Sequence, residues 1–97
     1  MDDGFYGSRM DRATIISYLQ AAEDRVAIIE QQIANQRGLI SSLRRAGHDT
    51  SSASAQLRVM EQTHMQYVGD RDRFRVELAA LDAAEAAKAR LTETRDS

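Results

Sequence analysis

One short stretch punctuates the chain: Arg44-Arg45-Ala46-Gly47-His48-Asp49-Thr50. Gly47 lacks a Cβ and can adopt the left-handed conformation that closes a helix at its C′ position. Arg44 and Arg45 stand in the preceding turn, where cations complement the negative end of a helix dipole. Asp49 and Thr50 follow, and either can accept hydrogen bonds from the orphan N–H groups of a second helix. A helix stop thus abuts a helix start, and with only about three residues of connection the two helices must run back antiparallel. The expectation is an all-α fold, an antiparallel two-helix coiled-coil hairpin.

The flanks fit that reading. Ile15, Leu19, Ala22, Val26, Ile29, Ile33, Gln36, Ile40 and Leu43 alternate spacings of four and three, a heptad seam with one polar member. The chain has no proline. Gly38 costs about 1 kcal/mol against alanine in a helix, which a close approach to a neighbour would offset. Ser8-x-x-Asp11 reads as a capping-box start. The first helix is therefore placed at residues 9–46, on the order of 55 Å long. Residues 1–8, with Phe5 and Tyr6, read as a flexible arm.

After a turn at 47–50, the second helix is placed at residues 51–91. Its seam is Leu57, Met60, His64, Tyr67, Arg71, Phe74, Leu78 and Leu81, weakened by the ionisable His64 and Arg71. Folding at the turn sets Ile40 opposite Leu57, Ile33 opposite His64, Val26 opposite Arg71 and Leu19 opposite Leu78. Residues 82–90 are alanine-rich and charged, a helical extension that frays, and 92–97 read as a tail.

Leu, Ile, Val and Phe supply only 19 of the 97 residues, and the 15 alanines add little volume. That is enough for a seam and too little for a thick core. Apolar residues nevertheless fall off the seam at Ile16, Ile28, Leu39, Val59, Met65, Val68 and Val76. A lone hairpin leaves such positions wet, and contiguous exposed apolar area marks an association surface. A second hairpin covers them in a four-helix bundle, so a homodimer is expected. Leu39 and Val68 thereby join the seam residues Ile15, Leu19, Val26, Ile29, Ile33, Ile40, Leu57, Met60, Tyr67, Phe74, Leu78 and Leu81 as interface candidates.

The absence of cysteine excludes disulfides and thiolate chemistry. No apolar run approaches the roughly 18 residues of a membrane span, and no signal-peptide pattern opens the chain. A soluble, cytoplasmic protein is expected, without a membrane partner. A net charge of −2 gives no global pull toward nucleic acid.

Glu61-x-x-His64 is the sharpest chemical motif, because the two residues lie one turn apart on one helix face. Di-iron carboxylate bundles hold metal with such a pair and further glutamates from facing helices. Glu30 is the candidate carboxylate from the first helix, although it stands about a turn from the level of His64. The plainer reading is a half-buried seam histidine beside an exposed glutamate, and no metal or cofactor is assigned. His48, beside Asp49 in the turn, is read as structural or solvated. Arg71, Arg73 and Arg75 resemble a basic patch, but Asp70, Asp72 and Glu77 offset them, so a salt-bridged, solvated face is the better account. The turn end, with Arg37, Arg44, Arg45 and Arg58, is mildly basic and suits an acidic partner. No catalytic triad, phosphate-cradling loop or nucleotide motif appears.

The stretch 33–78 carries Ile33-Ala34-x-Gln36-x-x-Leu39-Ile40-x-x-Leu43, then Gly47-His48-Asp49-Thr50-x-x-Ala53-x-x-x-Leu57, then Asp70-Arg71-Asp72-Arg73 and Glu77-Leu78. In these residues the chain resembles a family of small, uncharacterised bacterial proteins, mostly proteobacterial, with a Gly-His-Asp-Thr turn. The resemblance covers about half the chain and implies a helical hairpin with no activity to carry over. Such relatives often have histidine where this chain has Tyr67. The leading expectation is a non-enzymatic, self-associating coiled-coil adaptor, scaffold or small regulator with a further protein partner. The rivals are a ferroxidase-like, metal-binding bundle using Glu30, Glu61 and His64, and a nucleic-acid-associated protein.

Overall fold

The computed structural model describes residues 11–96, which form two antiparallel helices, α1 (Arg12–Arg45) and α2 (Ser51–Asp96), with no strand among them. None of the described helices is long and apolar enough to cross a membrane.

Helix α1 starts three residues later than the sequence suggests. Asp11 is its N-cap, with extended backbone (φ −76°, ψ 171°), and its carboxylate accepts from the Thr14 N–H at 2.8 Å. A side chain that satisfies an orphan N–H in this way fixes the first turn, so Asp11 ends the approach instead of sitting inside the helix. The Ser8 capping box and the 1–8 arm lie outside the described residues.

The turn closes as a Schellman motif. Gly47 takes φ +76°, its N–H donates to the Arg44 carbonyl at 3.1 Å, and the His48 N–H donates to the Leu43 carbonyl at 2.9 Å. These are the two reverse bonds that satisfy a helix's last carbonyls around a left-handed C′ residue. Ala46 is the C-cap, so the connection is 46–50 and not the shorter link expected. The choice between Asp49 and Thr50 resolves into a division of labour. The Thr50 carbonyl accepts the first helical bond, from Ser54 N–H at 2.8 Å, while the Asp49 carboxylate takes the Ser51 N–H at 3.0 Å and the Ser51 hydroxyl at 2.7 Å.

Every α1 seam residue turns inward. Ile15, Ala22, Val26, Ile29, Ile33, Gln36 and Ile40 are buried, and Leu19 and Leu43 half-buried. On α2 all eight seam residues, Leu57 to Leu81, are half-buried, and among the side chains described there only Ala53 is buried. Gln36 is the polar member of the α1 seam, and its amide donates to the Ala53 carbonyl at 2.9 Å and to Gln56 Oε1 at 3.3 Å. A buried amide must be paired, and here it is paired to the facing backbone, which the small Ala53 side chain leaves accessible. That bond pins the register just inside the turn. On either side of Gln36 along α1, Ile40 lines a groove with Leu57 and Val26 another with Arg71, as the expected pairing requires.

Three further differences follow. Ile16 and Val68 are half-buried at the hairpin's own flank, so they belong to this hairpin as much as to any partner. Gly38 makes no close approach, since a Cβ there would meet nothing within 4 Å. Helix α2 continues past residue 91 through Asp96. The α1 start lies opposite Asp82, so residues 83–96 extend beyond it by roughly 21 Å as a single helix. Alanine, the best helix former, fills five of positions 83–89 and favours continuation of the helix there.

Candidate functional site

The two sides of the seam differ in kind. On one side of α1, Glu23, Glu30 and Arg37 recur every seven residues, flanking the seam. Each meets an α2 residue: Glu23 with Arg75 at 3.5 Å, Glu30 with His64 at 3.1 Å, and Arg37 with Glu61 at 2.9 Å. Arg12 with Asp82 at 2.9 Å completes the row. The signs alternate along it, since α1 supplies a cation at both ends, Arg37 and Arg12, and anions between them, Glu30 and Glu23. A slip of one heptad sets Glu30 against Glu61, so the row specifies register even though each exposed pair is worth only about 0–1 kcal/mol.

This row redistributes the metal candidates. Glu30 and His64 do meet, against the expectation that a full turn would separate them, because two long side chains bridge the offset. A carboxylate can only accept, so His64 Nε2 carries the proton of that bond. Glu61 turns instead to Arg37. The described residues contain no group of three or more His, Asp or Glu placed to hold a metal ion. The arginines of the apparent basic patch are engaged as well: Arg71 with Asp72, Arg73 with Asp70, and Arg75 with Asp72 and Glu23.

The opposite side of the seam carries an aromatic pair. Tyr18 and Phe74 tilt across the helices with ring centroids 5.6 Å apart, and with Ala21 and Arg25 they line an open groove. Such a tilted pair adds about 0.5–1.5 kcal/mol beyond its buried area. Sequence reasoning placed Phe74 on the seam but missed Tyr18. The available signal was its position, three residues after Ile15 and four before Ala22, beside the seam. Arg37 was likewise read as part of a basic tip, although its heptad spacing from Glu23 and Glu30 marks it as a flank residue.

Large apolar side chains remain in water. Ile28 is 58% exposed, Leu39 47% and Val59 61%, while Met65 and Val76 stand on the outer side of α2. Of the interface candidates, the α1 seam is thus spent inside the hairpin, the α2 seam is half covered, and Leu39 is open.

The capping carboxylates carry the site's clearest electrostatic effects. The Thr14 N–H holds Asp11 below the ordinary carboxylate range, and the Ser51 hydroxyl, then the Ser51 N–H, do the same for Asp49.

Together these features define an antiparallel coiled-coil hairpin with one ion-paired flank, one aromatic flank and shallow, open interhelical grooves. No family model, curated protein or solved structure matches the chain.

Proposed function

We propose that this chain is a non-enzymatic coiled-coil interaction module that associates with itself, two hairpins forming a four-helix bundle. The bundle would serve a further protein as adaptor, scaffold or small regulator. The observation that carries this reading is the contrast between a closed α1 seam and the exposed Ile28, Leu39 and Val59. Full burial of an exposed side chain of this kind is worth about 1.5–3 kcal/mol, so covering the half still exposed gains roughly half of that, and a two-fold interface counts each one twice. A two-helix chain also has a poor ratio of buried to exposed surface, which association improves. The open grooves offer little of the concavity that a substrate pocket needs. The Glu30–His64 contact is the one feature that favours metal binding, and the diversion of Glu61 to Arg37 takes away its third ligand.

Thermal melting at several protein concentrations tests the proposal. Unfolding coupled to dissociation makes the melting temperature rise with concentration. The wild-type chain should show that rise, and Leu39→Arg with Val59→Arg should abolish it while helix content stays. A concentration-independent wild-type transition contradicts self-association.

A further inference from the structure

The exposed apolar residues on the aromatic side are arranged about a centre. Ala21 and Arg25 line the Tyr18–Phe74 groove, and Ile28 follows them by seven and three residues, so it continues the same α1 face. Leu39 follows Ile28 by eleven residues, three turns on, and returns to that face. Across the hairpin, the register set by Gln36 and Arg37 puts Val59 near the level of Leu39, on the same side of α2 as Phe74. The face therefore presents an aromatic cluster, then Ile28, then an aliphatic cluster. Tyr18 lies ten residues before Ile28 and Leu39 eleven after it, roughly 15 and 16 Å away along the helix.

Charge is arranged in the same sense. Residues 37–61, the turn end, hold four arginines against two carboxylates, Asp49 and Glu61. Residues 11–36 and 62–93, the open half, hold seven cations against ten carboxylates. The rod is positive at its turn and negative along the rest, so two copies repel when parallel and attract when antiparallel.

We infer that a second copy of this chain docks antiparallel on the aromatic flank, about a two-fold axis passing beside Ile28, so that the Tyr18–Phe74 cluster of each copy seats on the Leu39–Val59 cluster of the other. The inference rests on the self-association reading and adds to it a face, a direction and a register. A closed two-fold contact uses the same patch on both copies, and equal spacing about a centre is what that self-complementarity requires. The opposite flank, crossed by the ion pairs, faces solvent.

Because the chain has no cysteine, single-cysteine variants of the full chain report the arrangement cleanly. Ile28, Leu39 and Met65 are exposed, so changing them leaves the hairpin seam intact. A disulfide forms only where Cα atoms approach within about 7 Å, which a residue beside the two-fold axis satisfies. The masses of the reduced variants are measured first, and the variants are then oxidised under mild conditions. The expected result is that Ile28→Cys links to itself roughly tenfold or more faster than Leu39→Cys or Met65→Cys. Leu39→Cys should link instead to Tyr18→Cys when the two are mixed. Self-linking of Leu39→Cys as fast as Ile28→Cys means a parallel pair, and faster linking of Met65→Cys means the other face. Either result, or a dimer in which no variant links, overturns the arrangement while self-association survives. A single-chain mass for the wild type removes the self-association reading and this arrangement with it.

Discussion

The two helices share one seam and one register, yet α1 buries seven of its residues and α2 a single alanine. Side-chain shape accounts for the difference. The seven buried residues of the α1 seam are four isoleucines, a valine, an alanine and the hydrogen-bonded Gln36, and all but Gln36 are compact side chains that lie near the backbone. The α2 seam is built from Met60, His64, Tyr67, Arg71, Phe74 and leucines, which reach across α1 and leave their outer parts in water. One helix is covered and the other does the covering. The half-open helix is where further association gains most.

Matched truncations on the two helices give the largest effects. Ile29→Ala or Ile33→Ala should cost roughly 2–4 kcal/mol by chemical denaturation, since each is about 94% buried. Met60→Ala, on half-buried α2, should cost about half as much in dilute solution and more as concentration rises. Equal, concentration-independent costs would erase the distinction between covered and covering helix.

Next is the joint between them. Gly47→Val forces a β-branched residue to φ +76° and should cost about 1–2 kcal/mol with helix content largely kept. An unchanged melting temperature would mean that another backbone arrangement closes the turn.

Gly38→Ala should act in the other direction, stabilising by about 0.5–1 kcal/mol, because its Cβ enters open space on an exposed part of α1. Destabilisation by Gly38→Ala would place a partner's backbone against that position.

The smallest effect separates the two helix starts by pH. Asp11 and Asp49 both titrate below the ordinary carboxylate value of 3.8, so each stabilises the fold above that pH. Each contribution fades as pH falls through the lowered native value. Asp49→Asn keeps an acceptor without a charge. It should melt slightly below wild type near neutrality, and the gap should close as pH falls below 3.8 and through the lowered native value. A gap that widens on acidification would contradict the capping role.

Much of this was legible in the residues. The alternation of three and four from Ile15 to Leu43 fixes which side of α1 faces inward, because a helix offers one phase to a heptad pattern. Gly47 fixes the reversal. Boundaries were harder: Ser8 and Asp11 are both competent caps, and only the local path of the chain decides which carboxylate or hydroxyl meets an orphan N–H. The end of α2 was underestimated because alanine gives no periodic signal even where it sustains helix. Glu30 and His64 looked too far apart because seam levels locate Cα atoms, while the contact is made by side-chain tips. Tyr18 was missed because a flank position acquires meaning only once Phe74 is set against it.

The central claim is that the half-open α2 helix and the exposed Ile28, Leu39 and Val59 are covered by a second copy. Sedimentation equilibrium over a wide concentration range tests it most directly. A folded species of twice the 10.8 kDa chain mass is expected at micromolar concentration, dissociating to single helical hairpins on dilution. A fully helical species of 10.8 kDa throughout that range would contradict it.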